Sequence, residues 1–152
     1  MSKVSEPNNK KWRPTTRLVR GGTQRSEFDE TSEGIFMTSG YVYDSAESAE
    51  AAFKGETARY IYSRYANPTV TMFEERLALL EGAEYCVGTS SGMAAVFASL
   101  MSQLKTGERV VASRALFGSC HYIIQNMLPN FGIDVQFVDG TDLMQWEAAL
   151  AT

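Results

Sequence analysis

Hydrophobic positions change rhythm near residue 66. Beyond it, Val70, Phe73, Leu77 and Leu80 recur at helical spacing and predict a helix with one apolar face. Asn67 is a good N-cap, Pro68 suits the first helical position, and Gly82 marks the stop. The run Tyr85-Cys86-Val87 predicts a short buried strand. After the small-residue loop Gly88-Thr89-Ser90-Ser91-Gly92, the residues Met93, Val96, Phe97, Leu100, Met101 and Leu104 line one side of a second helix, which Thr106-Gly107 is expected to stop. Residues 109–112 read as strand, 119–128 as helix with Ile124, Met127 and Leu128 inward, and 133–138 as strand. A last helix starts at Asp142, capped by that residue's own carboxylate. Strand and helix alternate, so the fold class is α/β with a largely parallel sheet.

Residues 1–66 read differently, as an arm in front of an incomplete α/β domain at 67–152. Apart from the Ala/Glu-rich stretch 45–54, which fits a short helix, no period of 3.6 or 2 is sustained. The arm is nevertheless rich in Arg and Tyr: Arg17, Arg20, Arg25, Tyr41, Tyr43, Arg59, Tyr60, Tyr62, Arg64 and Tyr65. Such side chains contribute most when packed on a partner surface. At the other end, Trp146 to Thr152 runs out in or just after a helix, with no Gly cap. Three strands leave a hydrophobic sheet edge open, so the expectation is the front part of a longer protein or one that depends on partner chains.

Composition narrows the function. The 152 residues are 44% hydrophobic and 21% charged, with a net charge of -4. No apolar run approaches the roughly 20 residues that span a bilayer, and the start lacks the apolar core of a secretory signal, so a soluble cytoplasmic protein is expected. No Lys/Arg block exceeds Lys10-Lys11, which gives no footprint for nucleic acid or an anionic membrane. Cys86, Cys120 and the single histidine His121 are too few for a Cys/His zinc site, and both thiols are expected reduced in a core. A small molecule or a protein is left as partner.

Three places could carry chemistry. The loop ending Ser91-Gly92-Met93 opens a helix at what reads as a sheet's carboxyl edge. There, free N–H groups and the helix dipole can cradle a phosphate. It matches neither the dinucleotide nor the Walker glycine pattern. The same loop also reads as a plain βα turn with capping serines, and its residues alone do not choose. Tyr62 and Arg64, two apart in an extended stretch, would point the same way and suit an oxyanion; the alternative, which the pair by itself favours, is an aromatic interface patch with a solvated Arg. Phe117 follows the strand 109–112 at the edge where open α/β sheets bind ligands, and its ring could stack on a planar cofactor. Cys120-His121 imitates a nucleophile and base, but adjacent helical residues do not face each other, which makes the pair structural.

Gly21-Gly22-Thr23, Tyr62-Ser63-Arg64, Asn67-Pro68-Thr69, Leu80-Glu81-Gly82 and Ser91-Gly92-Met93, in this order and with these gaps, resemble the Cys/Met-metabolism family of pyridoxal-phosphate (PLP) enzymes. The resemblance covers nearly everything after residue 15. It implies an aspartate-aminotransferase-like (fold-type I) large domain, with this chain supplying the arm and part of the sheet. It implies PLP as cofactor, with Ser91, Gly92 and Met93 at its phosphate and Phe117 on its ring, where relatives commonly carry Tyr. Tyr62 and Arg64 match arm residues that cross to a neighbouring subunit and hold its phosphate, within a homo-oligomer built as a dimer of dimers. Residues 39–47 and 114–119 resemble most the members that make homocysteine from O-succinylhomoserine and sulfide, a γ-replacement on a small amino-acid substrate in methionine biosynthesis. Cystathionine γ-synthesis, sulfhydrylation of O-acetylhomoserine and γ-elimination of methionine are the near alternatives; a non-catalytic phosphate- or partner-binding module is the distant one. The family's Schiff-base lysine and pyridine-facing Asp are expected beyond Thr152. None of Lys3, Lys10, Lys11, Lys54 and Lys105 stands in place, so no catalytic residue is assigned and the chain alone is expected to be inactive.

Overall fold

A computed structural model describes residues 12–151. The chain divides into two compact units between Gly88 and Thr89. The change of sequence pattern at residue 66 lies inside the first of them, before its longest helix.

The first unit holds three helices: α1 (Pro14–Arg20), α2 (Ala46–Phe53) and α3 (Pro68–Glu81). Each starts where local chemistry allows it. Ser45 and Ser48 form a reciprocal capping box at α2, and the Asn67 side chain accepts from the Thr69 N–H at α3, with Pro68 needing no partner. Gly82 ends α3 in the left-handed conformation, φ 66°. Helix α1 has no signature in the hydrophobic pattern, since its seven residues bury none of their side chains.

The buried face of α3 is not the expected one. Val70, Phe73 and Leu80 are exposed, while Thr71, Met72, Glu75 and Ala78 are buried. The reason is α1, which packs on α3 through the Gly21-Gly22 pair. A Cβ on Gly21 would sit 2.6 Å from the Arg17 carbonyl oxygen and 2.7 Å from Leu79, and one on Gly22 (φ 69°) 2.9 Å from the Glu75 Cβ. Close approach of the Gly21-Gly22 backbone therefore buries this face of α3, polar residues included.

Arg76 fastens the same corner. Its guanidinium donates to the Gly21 carbonyl at 3.1 Å, to Thr23 Oγ1 at 3.3 Å and to the Glu33 carboxylate. That contact, followed by Glu33's own backbone N–H, holds the Glu33 carboxyl below the ordinary 4.5 of a glutamate. The native state therefore binds fewer protons than the unfolded chain, so this stabilisation is complete above about pH 4.5 and is lost as the pH falls through the lowered native value. Arg76→Met should cost about 1.5–3 kcal/mol at neutral pH, the worth of hydrogen bonds to a charged group. Thermal unfolding at pH 7 and in acid checks this: the deficit should shrink on acidification, and a deficit independent of pH would show that Glu33 adds nothing.

The second unit contains α4 (Gly92–Met101), β1 (Arg109–Ser113), α5 (Gly118–Tyr122), β2 (Asp134–Val138) and α6 (Leu143–Leu150). Strands β1 and β2 are parallel, in register from Arg109 opposite Asp134 to Ser113 opposite Val138. Ala112, Ile124, Leu128 and Ile133 form the core, with Leu100, Met101, Leu104 and Phe137 against it. Asp142 caps α6 as expected, accepting from the N–H groups of Met144 and Gln145.

Three expectations are corrected here. Tyr85-Cys86-Val87 forms no ladder: β1 pairs with β2, no further strand partners either among the described residues, and Tyr85 and Val87 are exposed. An apolar run reports a tendency to bury, not a partner. Helix α4 stops at Met101, well before Thr106-Gly107. Ser99 and Ser102 turn their hydroxyls onto the Val96 and Ser99 carbonyls, and Gln103 also donates to Ser99, in competition with continued helix. The helix expected over 119–128 is α5 followed by a π-helical turn, Ile123–Met127, and a 3-10 turn, Leu128–Phe131. Wider winding still leaves Ile124 and Leu128 buried. No described helix is long and apolar enough to cross a membrane.

Candidate cofactor site

At the start of α4 the two readings of the small-residue loop prove compatible. The Ser91 hydroxyl caps the helix, accepting from the Ala94 N–H at 3.1 Å, and the Ser91 carbonyl accepts from the Ala95 N–H at 3.0 Å. The N–H groups of Gly92 and Met93 are left without partners among the described residues. Around Gly92 the space is open, since a Cβ there would meet nothing within 4 Å. Ser91 keeps its own O–H to donate. Two free amides, one hydroxyl and the positive end of a ten-residue helix thus converge on an exposed point with room for a tetrahedral anion. The residues present fit a phosphate.

Phe117 stands just before α5, beyond the carboxyl end of β1, and is 73% exposed. Helices α4 and α5 flank an open apolar groove of about 370 Å³ lined by Met93, Ala94, Phe97, Ser119, Tyr122, Ile123 and Met127. Met93 at the α4 start and Ser119, two residues past Phe117, line the same groove, so the free amides and the Phe117 ring belong to one region of this unit.

Tyr62 and Arg64 belong to the first unit. They lie in a tight turn rather than the extended stretch expected, because the Tyr62 carbonyl accepts from the N–H groups of Tyr65 at 2.9 Å and Ala66 at 3.2 Å. The turn still groups them. The Arg64 guanidinium lies 5.9 Å from the Tyr62 ring centre and 5.6 Å from that of Tyr65, and the two rings meet edge to face. Arg64 is exposed, and among the described residues its guanidinium donates to no side chain or carbonyl. Its fork is available to an anion.

The cysteines correct a further expectation. Cys86 and Cys120 are free but only half-buried, outside the core, because the segment of Cys86 joins no sheet and Cys120 lies in the first turn of α5. Burial and the Glu74 carboxylate push the Cys86 thiol up, which keeps it protonated and unreactive. His121 stacks on Phe137 with ring centres 4.5 Å apart, a packing role. Lys54 pairs with Glu50 at the end of α2, and Lys105 precedes the turn into β1.

The family model described as Cys/Met metabolism PLP-dependent enzyme matches residues 15–152. The chain belongs to this PLP-dependent family. It is 57% identical over 133 residues to an O-succinylhomoserine sulfhydrylase of Mycobacterium tuberculosis (strain CDC 1551 / Oshkosh), covering 88% of this chain and 33% of that protein. It is 46% identical over 134 residues to the protein of the same name from Pseudomonas aeruginosa, covering 88% and 33%. An L-methionine gamma-lyase of Fusobacterium nucleatum subsp. polymorphum is 38% identical over 141 residues, covering 93% and 36%. Among solved structures, a protein described as an O-acetylhomoserine (thiol)-lyase from Campylobacter jejuni, which carries a pyridoxyl-lysine phosphate, superposes with a TM-score of 0.82 at 30% identity, over 90% of this chain and 32% of that one. The two-stranded α/β unit is accordingly part of a fold-type I PLP domain. The chain spans about a third of the length of the curated relatives it matches.

Hydrophobic and capping patterns pointed to Ser91, Gly92, Met93 and Phe117, and residue type pointed to Tyr62 and Arg64. What that reading missed is the polar frame around the Tyr62 turn, formed by Ser63 and Asn67, whose partners lie some 25 to 31 residues away in sequence.

Proposed function

We propose that this chain is the amino-terminal third of an O-succinylhomoserine sulfhydrylase, which joins O-succinylhomoserine and sulfide into homocysteine and releases succinate. The observation that carries the reading is the pair of free amides at Gly92 and Met93 beside the Ser91 hydroxyl. They bind the PLP phosphate as a fixed anchor. The similarity to the two sulfhydrylases supports the choice of substrate and of sulfide.

Each residue has a part. Gly92 and Met93 donate their N–H groups and Ser91 its O–H to the phosphate oxygens, with the dipole of α4 adding its field. The Phe117 ring would stack on the pyridine and exclude water there; having no hydroxyl, it moves no proton. Tyr62 and Arg64 would reach a neighbouring subunit and hold its phosphate, Arg64 by charge through its planar fork and Tyr62 by donating its O–H. Bound PLP supplies the electron sink that makes departure of a γ-substituent possible. The lysine that carries it comes from a later part of the whole enzyme, which is a cytoplasmic dimer of dimers with a small amino-acid substrate.

The test is a substrate panel. The full-length protein should form homocysteine from O-succinylhomoserine and sulfide faster than from O-acetylhomoserine, should use sulfide in preference to cysteine, and should retain PLP covalently after borohydride reduction. Residues 1–152 alone should form none. Release of methanethiol from methionine as the dominant activity would favour the γ-lyase relatives instead, and a protein that borohydride leaves without covalent cofactor would be a binding module.

A further inference from the structure

The turn that carries Tyr62 and Arg64 is held by a polar frame. Asn67, 6% exposed, uses its whole side-chain amide: Nδ2 donates to the Phe36 carbonyl at 2.9 Å and to Ser63 Oγ at 3.1 Å, while Oδ1 accepts from the Thr69 N–H at 2.9 Å. The Ser63 hydroxyl donates in turn to the Thr38 carbonyl, and the Ser63 N–H donates to the Ser39 carbonyl at 2.9 Å. Phe36 is gripped a second time, its N–H donating to Thr69 Oγ1 at 2.9 Å. An antiparallel bridge between Gly40 and Tyr62 completes the frame. Three pieces of chain, residues 36–40, the Tyr62 turn and the first turn of α3, are thereby fixed to one another.

We propose that Ser63 and Asn67 are positioning residues for the phosphate grip of Tyr62 and Arg64; this rests on the reading that those two side chains hold a PLP phosphate. Ser63 sits between them in sequence, so anchoring its N–H and hydroxyl to residues 38 and 39 sets the direction in which both neighbours leave the turn. A forked guanidinium rewards this, because its two bonds to a phosphate require placement within about 0.5 Å. Asn67 extends the anchor into a helix, which is stiffer than a loop. Capping alone does not call for asparagine here. Aspartate caps a helix as well but cannot donate to Phe36 or Ser63, so Asn67→Asp separates the two tasks.

The experiment uses the full-length holoenzyme and reads the dissociation constants of PLP and of pyridoxal, which lacks the phosphate, from the cofactor's absorbance. Asn67→Asp and Ser63→Ala should each weaken PLP about 3- to 10-fold, the effect of one or two ordinary hydrogen bonds, and leave pyridoxal unchanged. Ser63→Thr, which keeps a hydroxyl, should restore most of the loss. In an Arg64→Ala/Tyr62→Phe background the Asn67→Asp loss should vanish, because the frame then has nothing to aim. The proposal is overturned if Asn67→Asp and Ser63→Ala leave PLP binding intact while Arg64→Ala weakens it. It is equally overturned if their losses extend to pyridoxal or persist in full in the double variant. If Arg64→Ala itself leaves PLP binding unchanged, the phosphate reading falls and the proposal with it, a result distinct from failure of the frame alone. Should Asn67→Asp not fold, Ser63→Ala carries the same comparison from a less buried position.

Discussion

Arg64→Ala in the full-length enzyme should raise the PLP dissociation constant by about 10- to 100-fold, which corresponds to the roughly 1.5–3 kcal/mol of hydrogen bonding to a charged group. The expectation follows from what Arg64 does not do within its own unit. Its guanidinium rests over the Tyr62 and Tyr65 rings, and none of its donors is spent on a described residue. A solvated arginine with no ligand would cost little to remove. Arg64→Lys should recover only part of the loss, since an ammonium keeps the charge but not the fork. Equilibrium dialysis of PLP against the purified variants measures this directly, and an Arg64→Ala protein that binds PLP as tightly as the unaltered enzyme would reduce Arg64 to a surface charge.

Much of the architecture could be read where short-range chemistry decides it. Ser45, Asn67 with Pro68, Ser91 and Asp142 each stand at a helix start, and Gly82 ends α3, because caps and breakers act within a few residues. Strands β1 and β2 were legible within one residue as well: Val110 to Ala112 is a short apolar run between turns, and polar and apolar positions alternate from Asp134 to Phe137. What failed depended on distant partners. Tyr85-Cys86-Val87 has the composition of a strand without a ladder. On α3 the pattern marked Val70, Phe73 and Leu80 as inward, yet Thr71 and Glu75 are buried because the Gly21-Gly22 pair brings α1 against them.

The candidate site divides along the same line. The cradle at Ser91, Gly92 and Met93 is a property of one helix start, so its residues could be named from the sequence. Tyr62 and Arg64 stand out by residue type, but the extended chain expected for them is a turn, closed by the Tyr62 carbonyl. Nothing in a local window connects Ser63 to Thr38 or Asn67 to Phe36.

Under the proposed function, each cofactor phosphate is held by two copies of this chain, the α4 start of one and the Tyr62 turn of its neighbour. Mixing two inactive full-length proteins tests it. One carries Tyr62→Phe and Arg64→Ala, the other a replaced Schiff-base lysine. In a hybrid dimer, one site joins the intact lysine of the first protein to the intact arm of the second. Homocysteine formation should rise from background as hybrids form, toward the activity of one working site per dimer. Hybrid dimers shown by mass to be present, with activity still at background, would contradict it and return the arm to its own subunit.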